Sequence, residues 1–473
     1  MRHLLRRVAG VGRLVGLVMA VVLSYTPGYA QGISLIRDAE IERDIRLYAT
    51  PAWQAAGLDP AAVRIFLVND KTLNAFVAGG QNIFINTGLI IKARNPSEII
   101  GVLAHETGHI SAGHLARTQE ALKGATATMI LSMLAGLGAM VAGAPDAGAA
   151  LIASGPQFGQ RVFLSYSRTQ ESAADQAALK FLNDTGQSAH GLVDFLELLG
   201  DQEALLTTNK DPYVRSHPLT SDRVARLREL AHSSPYWNAP ERPGYVVMLK
   251  RMQAKLYGFL RPVHQTLLRY PPSDRSIYGR YARAIAYHQD ARLDAALAEV
   301  NSLVSEWPAD PYFEELKGQI LFESGKVSRA IEPYRRAVAL LPDEPLLRVS
   351  LGQAIVALED KALMPEAIKN LEVSLRKDPQ NSFAWHQLAI AYNALGKDGL
   401  AAHAAAERYV LAGRMREALA QARQALPKLK KGTPNWWRTQ DILVLAESHM
   451  DKSGKQARKK PPAKKPDSDG DDH

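Results

Sequence analysis

The spacing of apolar residues changes several times along the chain, and each change marks a different kind of element. From Ser34 to Tyr48, Ile36, Ile41, Ile45 and Tyr48 recur at helical spacing among charged residues, which predicts an amphipathic helix. Val63, Ile65 and Leu67 then alternate as a strand. Asn74 to Ala78 and Asn82 to Asn86 flank Gly79-Gly80 and predict two extended segments around a turn. A helix follows from Asn95 to about Thr118. Asn95 serves as its N-cap, Pro96 as its first residue and Glu98 as its capping-box acid, ahead of Ile99, Ile100, Val102 and Leu103.

Ser233 to Gly244 is rich in Ser and Pro and reads as a linker. Beyond it the pattern repeats about every 34 residues, the tetratricopeptide-repeat (TPR) period. One copy carries Ala284, Tyr287, Ala296 and Pro308, and the next carries Gly318, Leu321, Gly325, Ala330, Tyr334, Ala337 and Pro342. A third has Gly352, Ile355, Ala367, Leu371, Ser374 and Pro379, and a fourth has Trp385, Leu388, Ala389, Tyr392, Gly396 and Ala401. Small residues at the crossing points let paired helices approach, and stacking buries a continuous core. Arg414 to Leu426 and Trp436 to Ser448 continue as helices that can cap the array.

Composition narrows the chemistry. The 473 residues are 46% hydrophobic and 22% charged, enough for two or three folded domains. There is no cysteine, which excludes disulfides, thiolate zinc sites and cysteine nucleophiles. The formal charge is +9, and +5 without the four arginines Arg2, Arg6, Arg7 and Arg13 of the leader. No aromatic-basic alternation accompanies this excess, so nucleic acid is not an expected partner. Residues 1–30 read as a signal peptide, with arginines, an apolar run from Leu14 to Leu23 and a small-residue cleavage site ending at Ala30. The alternative is an uncleaved anchor. The expected destination is the periplasm or the outside of the cell.

The candidate chemistry lies in Ala104-His105-Glu106-Thr107-Gly108-His109. Two histidines four apart share one helix face, about one pitch from each other, and can hold one zinc ion through neutral nitrogens. Glu106 beside the first ligand can act as base toward water. His114 falls about 140° from His109 and about 180° from His105 if the helix continues, so it reads as a residue of the surface or of the layer behind the ligands. Leu115 stands where a three-histidine pattern needs its last ligand. Glu171 and Asp175, also four apart, supply the third ligand and a carboxylate that fixes the tautomer of a ligating histidine. Ser172, Ala173 and Ala174 let that second helix pack closely on the first. Gly124 to Pro145 is uncharged for 22 residues and reads as a lid or surface-associated hairpin, with membrane insertion as the alternative. The residues after Asp451 form a Lys/Pro-rich tail expected to be disordered.

His105-Glu106-x-x-His109 followed by Glu171-x-x-x-Asp175 resembles the M48 zinc peptidases, a branch of the gluzincins. Asn74-Ala75-Phe76 with Gly79-Gly80 is similar to the substrate-side strand of that group. Ser216-His217-Pro218 with Arg223 matches its later His-Pro…Arg element. With the leader and the repeats, the chain resembles the periplasmic branch that serves assembly of outer-membrane barrels.

The resemblance implies a mainly α protein: a signal peptide over 1–30, an α+β gluzincin-type metallopeptidase domain with a small sheet over 31–232, a linker over 233–245, a TPR solenoid over 246–448 and a tail over 449–473. It implies one Zn2+ per chain on His105, His109 and Glu171, Glu106 as base, and His217 as a fourth ligand that closes the site. His217 read as an oxyanion donor, or with Pro218 as a mere helix cap, stays open, and Arg223 can hold the loop or bind a carboxylate. It also implies polypeptide substrates held along Asn74 and Ala75, misassembled outer-membrane proteins among them. Clients or an assembly machine would be recruited through the repeats, with peripheral membrane contact through residues 124–145. A chaperone or scaffold with a normally closed zinc site is the alternative.

Overall fold

The computed structural model describes residues 34–114, 167–205, 217 and 219–458. The leader, the uncharged segment 124–145 and residues 459–473 of the tail lie outside the described residues, while residues 449–458, expected to belong to the disordered tail, continue the last helix. Among the described residues no helix is long and apolar enough to cross a membrane.

The chain is mainly helical, with one small sheet near its start. Strand β1 (Leu35–Ile36) precedes helix α1 (Ala39–Ala55), and β2 (Arg64–Val68), β3 (Ala75–Ala78) and β4 (Asn82–Asn86) follow. The predicted first helix is therefore corrected at both ends. Asp38 caps it by accepting from Ile41 N at 2.9 Å, which turns the preceding residues into strand, and the apolar stripe carries on through Trp53. The sheet order is β1-β2-β4-β3. β2 and β4 run parallel, and the β3–β4 hairpin is antiparallel, as the Gly79-Gly80 turn predicts. β3 is an edge of this sheet and packs against the helix that carries the two histidines.

After the short α2 (Thr87–Lys92), helix α3 runs from Pro96 to Ser111. Asn95 accepts from Glu98 N at 3.0 Å. The Glu98 carboxylate accepts from Arg94 N at 2.9 Å, one residue outside the N-cap, and pairs with the Arg94 side chain at 2.6 Å. The C-terminal end departs from the expectation of a helix to Thr118. Gly113 adopts φ +65°, a left-handed conformation that favours glycine, and the last turn closes there. Helix α4 is described over residues 167–184 and lies across α3. It can do so because position 108 is glycine: a Cβ there would stand 2.8 Å from the Ala174 carbonyl oxygen. Helices α5 (His190–Leu205) and α6 (Ser221–His232) complete this unit. Residues 233–244 are not helical but are held down, with Ser97 N donating to Glu241 at 3.0 Å.

Helices α7 (Tyr245–Leu260) and α8 (Val263–Arg269) lead into an array of helical hairpins. It comprises α9 (Ile277–Gln289), α10 (Leu293–Glu306), α11 (Pro311–Glu323), α12 (Val327–Leu340), α13 (Pro345–Leu358), α14 (Met364–Lys377), α15 (Ser382–Ala394), α16 (Asp398–Leu411), α17 (Met415–Ala425) and α18 (Pro434–Arg458). The small residues of the pattern sit where helices cross: Gly318 lies under the Tyr334 ring and Gly352 under Leu371. Helix α7 belongs to both cores, since Leu249, Met252 and Leu256 pack with the sheet unit while Gly258 abuts Ile285 of α9.

Buried charge joins the two units. Arg251 of α7 pairs with Glu40 of α1 at 2.6 Å and with Asp310 at the start of α11. Lys255 pairs with Asp38 at 2.8 Å, and the Tyr281 hydroxyl donates to Glu40 at 2.6 Å. These contacts set the first helices of the hairpins α9–α10 and α11–α12 against α1.

Candidate metal centre

Helix α3 delivers His105 and His109 on one face, α4 delivers Glu171, and residue 217 ahead of α6 delivers the third imidazole. One ligand atom from each lies within 4.8 Å of every other, the one such group among the described residues. His105 Nε2 is 3.1 Å from His109 Nε2 and 3.3 Å from Glu171 Oε2. His109 Nε2 is 3.4 Å from Glu171 Oε1. His217 Nδ1 is 3.1 Å from both Glu171 oxygens and 3.4 Å from His105 Nε2.

These gaps match a metal. A tetrahedral ion with bonds of about 2.0–2.1 Å to nitrogen and oxygen has edges of about 3.3 Å. Three imidazole nitrogens and a carboxylate drawn together are also a donor set chemically suited to a divalent cation. All four residues are buried, with His105 fully so.

The groups behind the cluster are equally ordered. Asp175 Oδ1 lies 2.9 Å from His105 Nδ1, which directs Nε2 of that ring toward the other ligands. Arg223 grips both carboxylates: Nε and Nη2 donate to Asp175 at 2.7 and 2.8 Å, and Nη1 lies 2.9 Å from Glu171 Oε2. Of the two roles left open for Arg223, these contacts show the binding of carboxylates. Its helix is capped by Thr220, whose hydroxyl accepts from Arg223 N at 3.2 Å, so His217 is not the cap.

Burial opposes charge at Glu171, but His217, His105 and His109 win and hold its carboxyl well below the usual range. At Asp175 burial is likewise outweighed, by Arg223 and His105, and the carboxyl falls to about 2. His105 rises to about 9 against its burial, through Asp175 and Glu171. His109 falls to about 4 because burial, helped by the neighbouring His105 and His217, outweighs Glu171. Glu106 is pushed up by burial, with His217 and His105 acting the other way. Its Oε1 lies 3.5 Å from His217 Nε2, and among the described residues neither of its oxygens has a hydrogen-bond partner.

Residues 36–231 match the sequence profile of peptidase family M48. The chain carries an M48 peptidase domain. Over 372 residues, 78% of this chain, the sequence is 24% identical to a beta-barrel assembly-enhancing protease of Yersinia pestis and 25% identical to one of Escherichia coli K12, covering 75% of each relative. It is also 28% identical over 171 residues to the metalloprotease YcaL of E. coli K12, covering 36% of this chain and 62% of that one. The protein is therefore a metalloprotease, and the cluster on α3, α4 and residue 217 falls inside the matched M48 span.

The substrate-strand candidates Asn74 and Ala75 sit at the start of β3. Both side chains are buried, and Asn74 O accepts from Asn86 N at 2.9 Å, so one edge of this stretch is paired within the sheet. Of its two expected places, the surface and the layer behind the ligands, His114 takes the second. His114 does not continue the helical wheel. The chain turns at Gly113, and His114 is buried with its Nδ1 3.0 Å from His109 Nδ1. The glycine at 113 was the available signal.

Proposed function

We propose that the protein is an exported zinc metalloendopeptidase that cleaves misassembled outer-membrane proteins and aids quality control of their assembly. The observation that carries the chemistry is the convergence of His105, His109, Glu171 and His217 with Glu106 alongside. The relatives named beta-barrel assembly-enhancing proteases support the substrate class.

In this reading His105, His109 and Glu171 hold the ion. Bound zinc supplies a Lewis acid that acidifies water and polarises the scissile carbonyl. Glu106 takes the proton from water and later delivers it to the leaving amine; its burial favours the neutral form and so its uptake of the proton. Asp175 fixes the tautomer of His105. The outer edge of β3, from Asn74 and Ala75, pairs with an extended polypeptide through its backbone. The helical hairpins act as a TPR solenoid that recruits clients or an assembly machine, and residues 124–145 contact the membrane surface.

A second reading is supported by the burial of the whole site and by the approach of His217 to Glu171. Here the resting molecule is closed and its main work is that of a scaffold. The Glu106→Gln variant separates the two. Loss of cleavage of a misfolded barrel protein together with loss of assembly support fits the protease. Loss of cleavage with full assembly support fits the scaffold.

A further inference from the structure

We propose that His114 is a positioning residue for the metal site, the counterpart at His109 of Asp175 at His105. The inference rests on the reading of His105, His109 and Glu171 as ligands. A histidine that offers Nε2 to a cation must carry its proton on Nδ1. In His109 that Nδ1 faces His114 Nδ1 at 3.0 Å, with the ring centroids 5.0 Å apart and the planes at 73°. One nitrogen of such a contact donates and the other accepts. Only donation from His109 to His114 leaves the Nε2 lone pair of His109 free for an ion. His114 thus acts as the acceptor that sets the tautomer and swing of the ring, as partners behind metal-bound histidines do.

The backbone reinforces this role. Gly113, at φ +65°, turns the chain so that His114 folds back under His109 instead of following the helix away from it. The carbonyl of His114 accepts from Gln170 Nε2 at 3.2 Å, and Gln170 immediately precedes Glu171. One residue therefore ties the end of α3 to the helix bearing the carboxylate ligand. His114 is buried, so the contact is shielded from competing water.

The test uses the full mature chain loaded with Co2+, comparing wild type, His114→Ala and His114→Asn. Metal stoichiometry, the rate of metal loss to a chelator and the visible Co2+ spectrum are read, with melting of the metal-free proteins as a check on folding. Asn can place Oδ1 near the position of Nδ1 and accept the same hydrogen bond. His114→Ala is expected to lose metal about 10–100-fold faster with an altered spectrum. His114→Asn is expected to restore both toward wild type. If His114→Ala keeps its metal and spectrum, or if His114→Asn is as defective as His114→Ala, the positioning role is wrong while the metal site stands. If wild type itself takes up no stoichiometric metal, both the inference and the reading beneath it fall.

Discussion

His217 reaches Glu106 with one ring nitrogen and Glu171 with the other. Its Nε2 lies 3.5 Å from Glu106 Oε1 and its Nδ1 lies 3.1 Å from the Glu171 carboxylate. If the cluster holds an ion, this ring takes the place a water needs and stands between that place and its base. The reading makes His217 a gate, which leads to the first prediction. His217→Ala should raise basal peptidase activity several-fold while the protein still carries one metal. A rate below wild type, measured on an unstructured peptide, would assign His217 to transition-state stabilisation instead.

Glu106→Gln should lower the cleavage rate by about 10²–10⁴-fold, the usual worth of a positioned proton carrier. Metal content should not change, since neither Glu106 oxygen is part of the ligand group. Peptide cleavage and elemental analysis on the same sample check this, and loss of metal together with activity would refute it.

Gly108→Ala should destabilise the fold by about 1–3 kcal/mol, the common cost of overpacking. The new Cβ would meet backbone atoms of Ala174, at 2.8 Å from O and 3.0 Å from Cα, so no flexible side chain can absorb the clash. Parting α3 from α4 also parts His105 and His109 from Glu171, so metal should be released faster. Denaturant midpoints and chelator release rates read the two effects separately.

The geometry also shows what a single sequence can carry. The pair His105 and His109 was legible because helical spacing is local, and Glu171 because Asp175 repeats the same spacing one helix later. His114 was left between the surface and the layer behind the ligands because the helical wheel was extended through Gly113, a residue that ends helices. The grip of Arg223 on Asp175 and Glu171 was undecided, since the sequence does not show which way a loop folds back. The charge cluster of Glu40, Arg251, Lys255 and Asp310 was not legible at all. Its members come from α1, α7 and α11, and only tertiary packing brings them together.

That junction makes stability depend on pH. Burial, with the nearby Glu40, pushes Asp44 up to about 8. Burial also pushes Glu315 and Glu344 to about 7 each, partly countered at Glu315 by Lys255 and at Glu344 by its hydrogen bond from Leu346 N. The unfolded chain loses these protons near the ordinary carboxylate values of about 4. Between pH 4 and 8 the folded state therefore binds more protons, and stability falls as pH rises. The thermal midpoint should drop from pH 5 to pH 8.5. Asp44→Asn should flatten that slope, with a stabilising effect that grows by about 3 kcal/mol between pH 5 and pH 8. An unchanged slope in the variant would remove Asp44 from the account.

The central claim is that two helices and one loop deliver their side chains to a common divalent ion. Anomalous diffraction at the zinc absorption edge, from crystals of the mature chain, tests it most directly. The account predicts one peak per chain, within bonding distance of His105 Nε2, His109 Nε2 and Glu171. No peak there, or a peak that touches His105 and His109 but not Glu171, would contradict it.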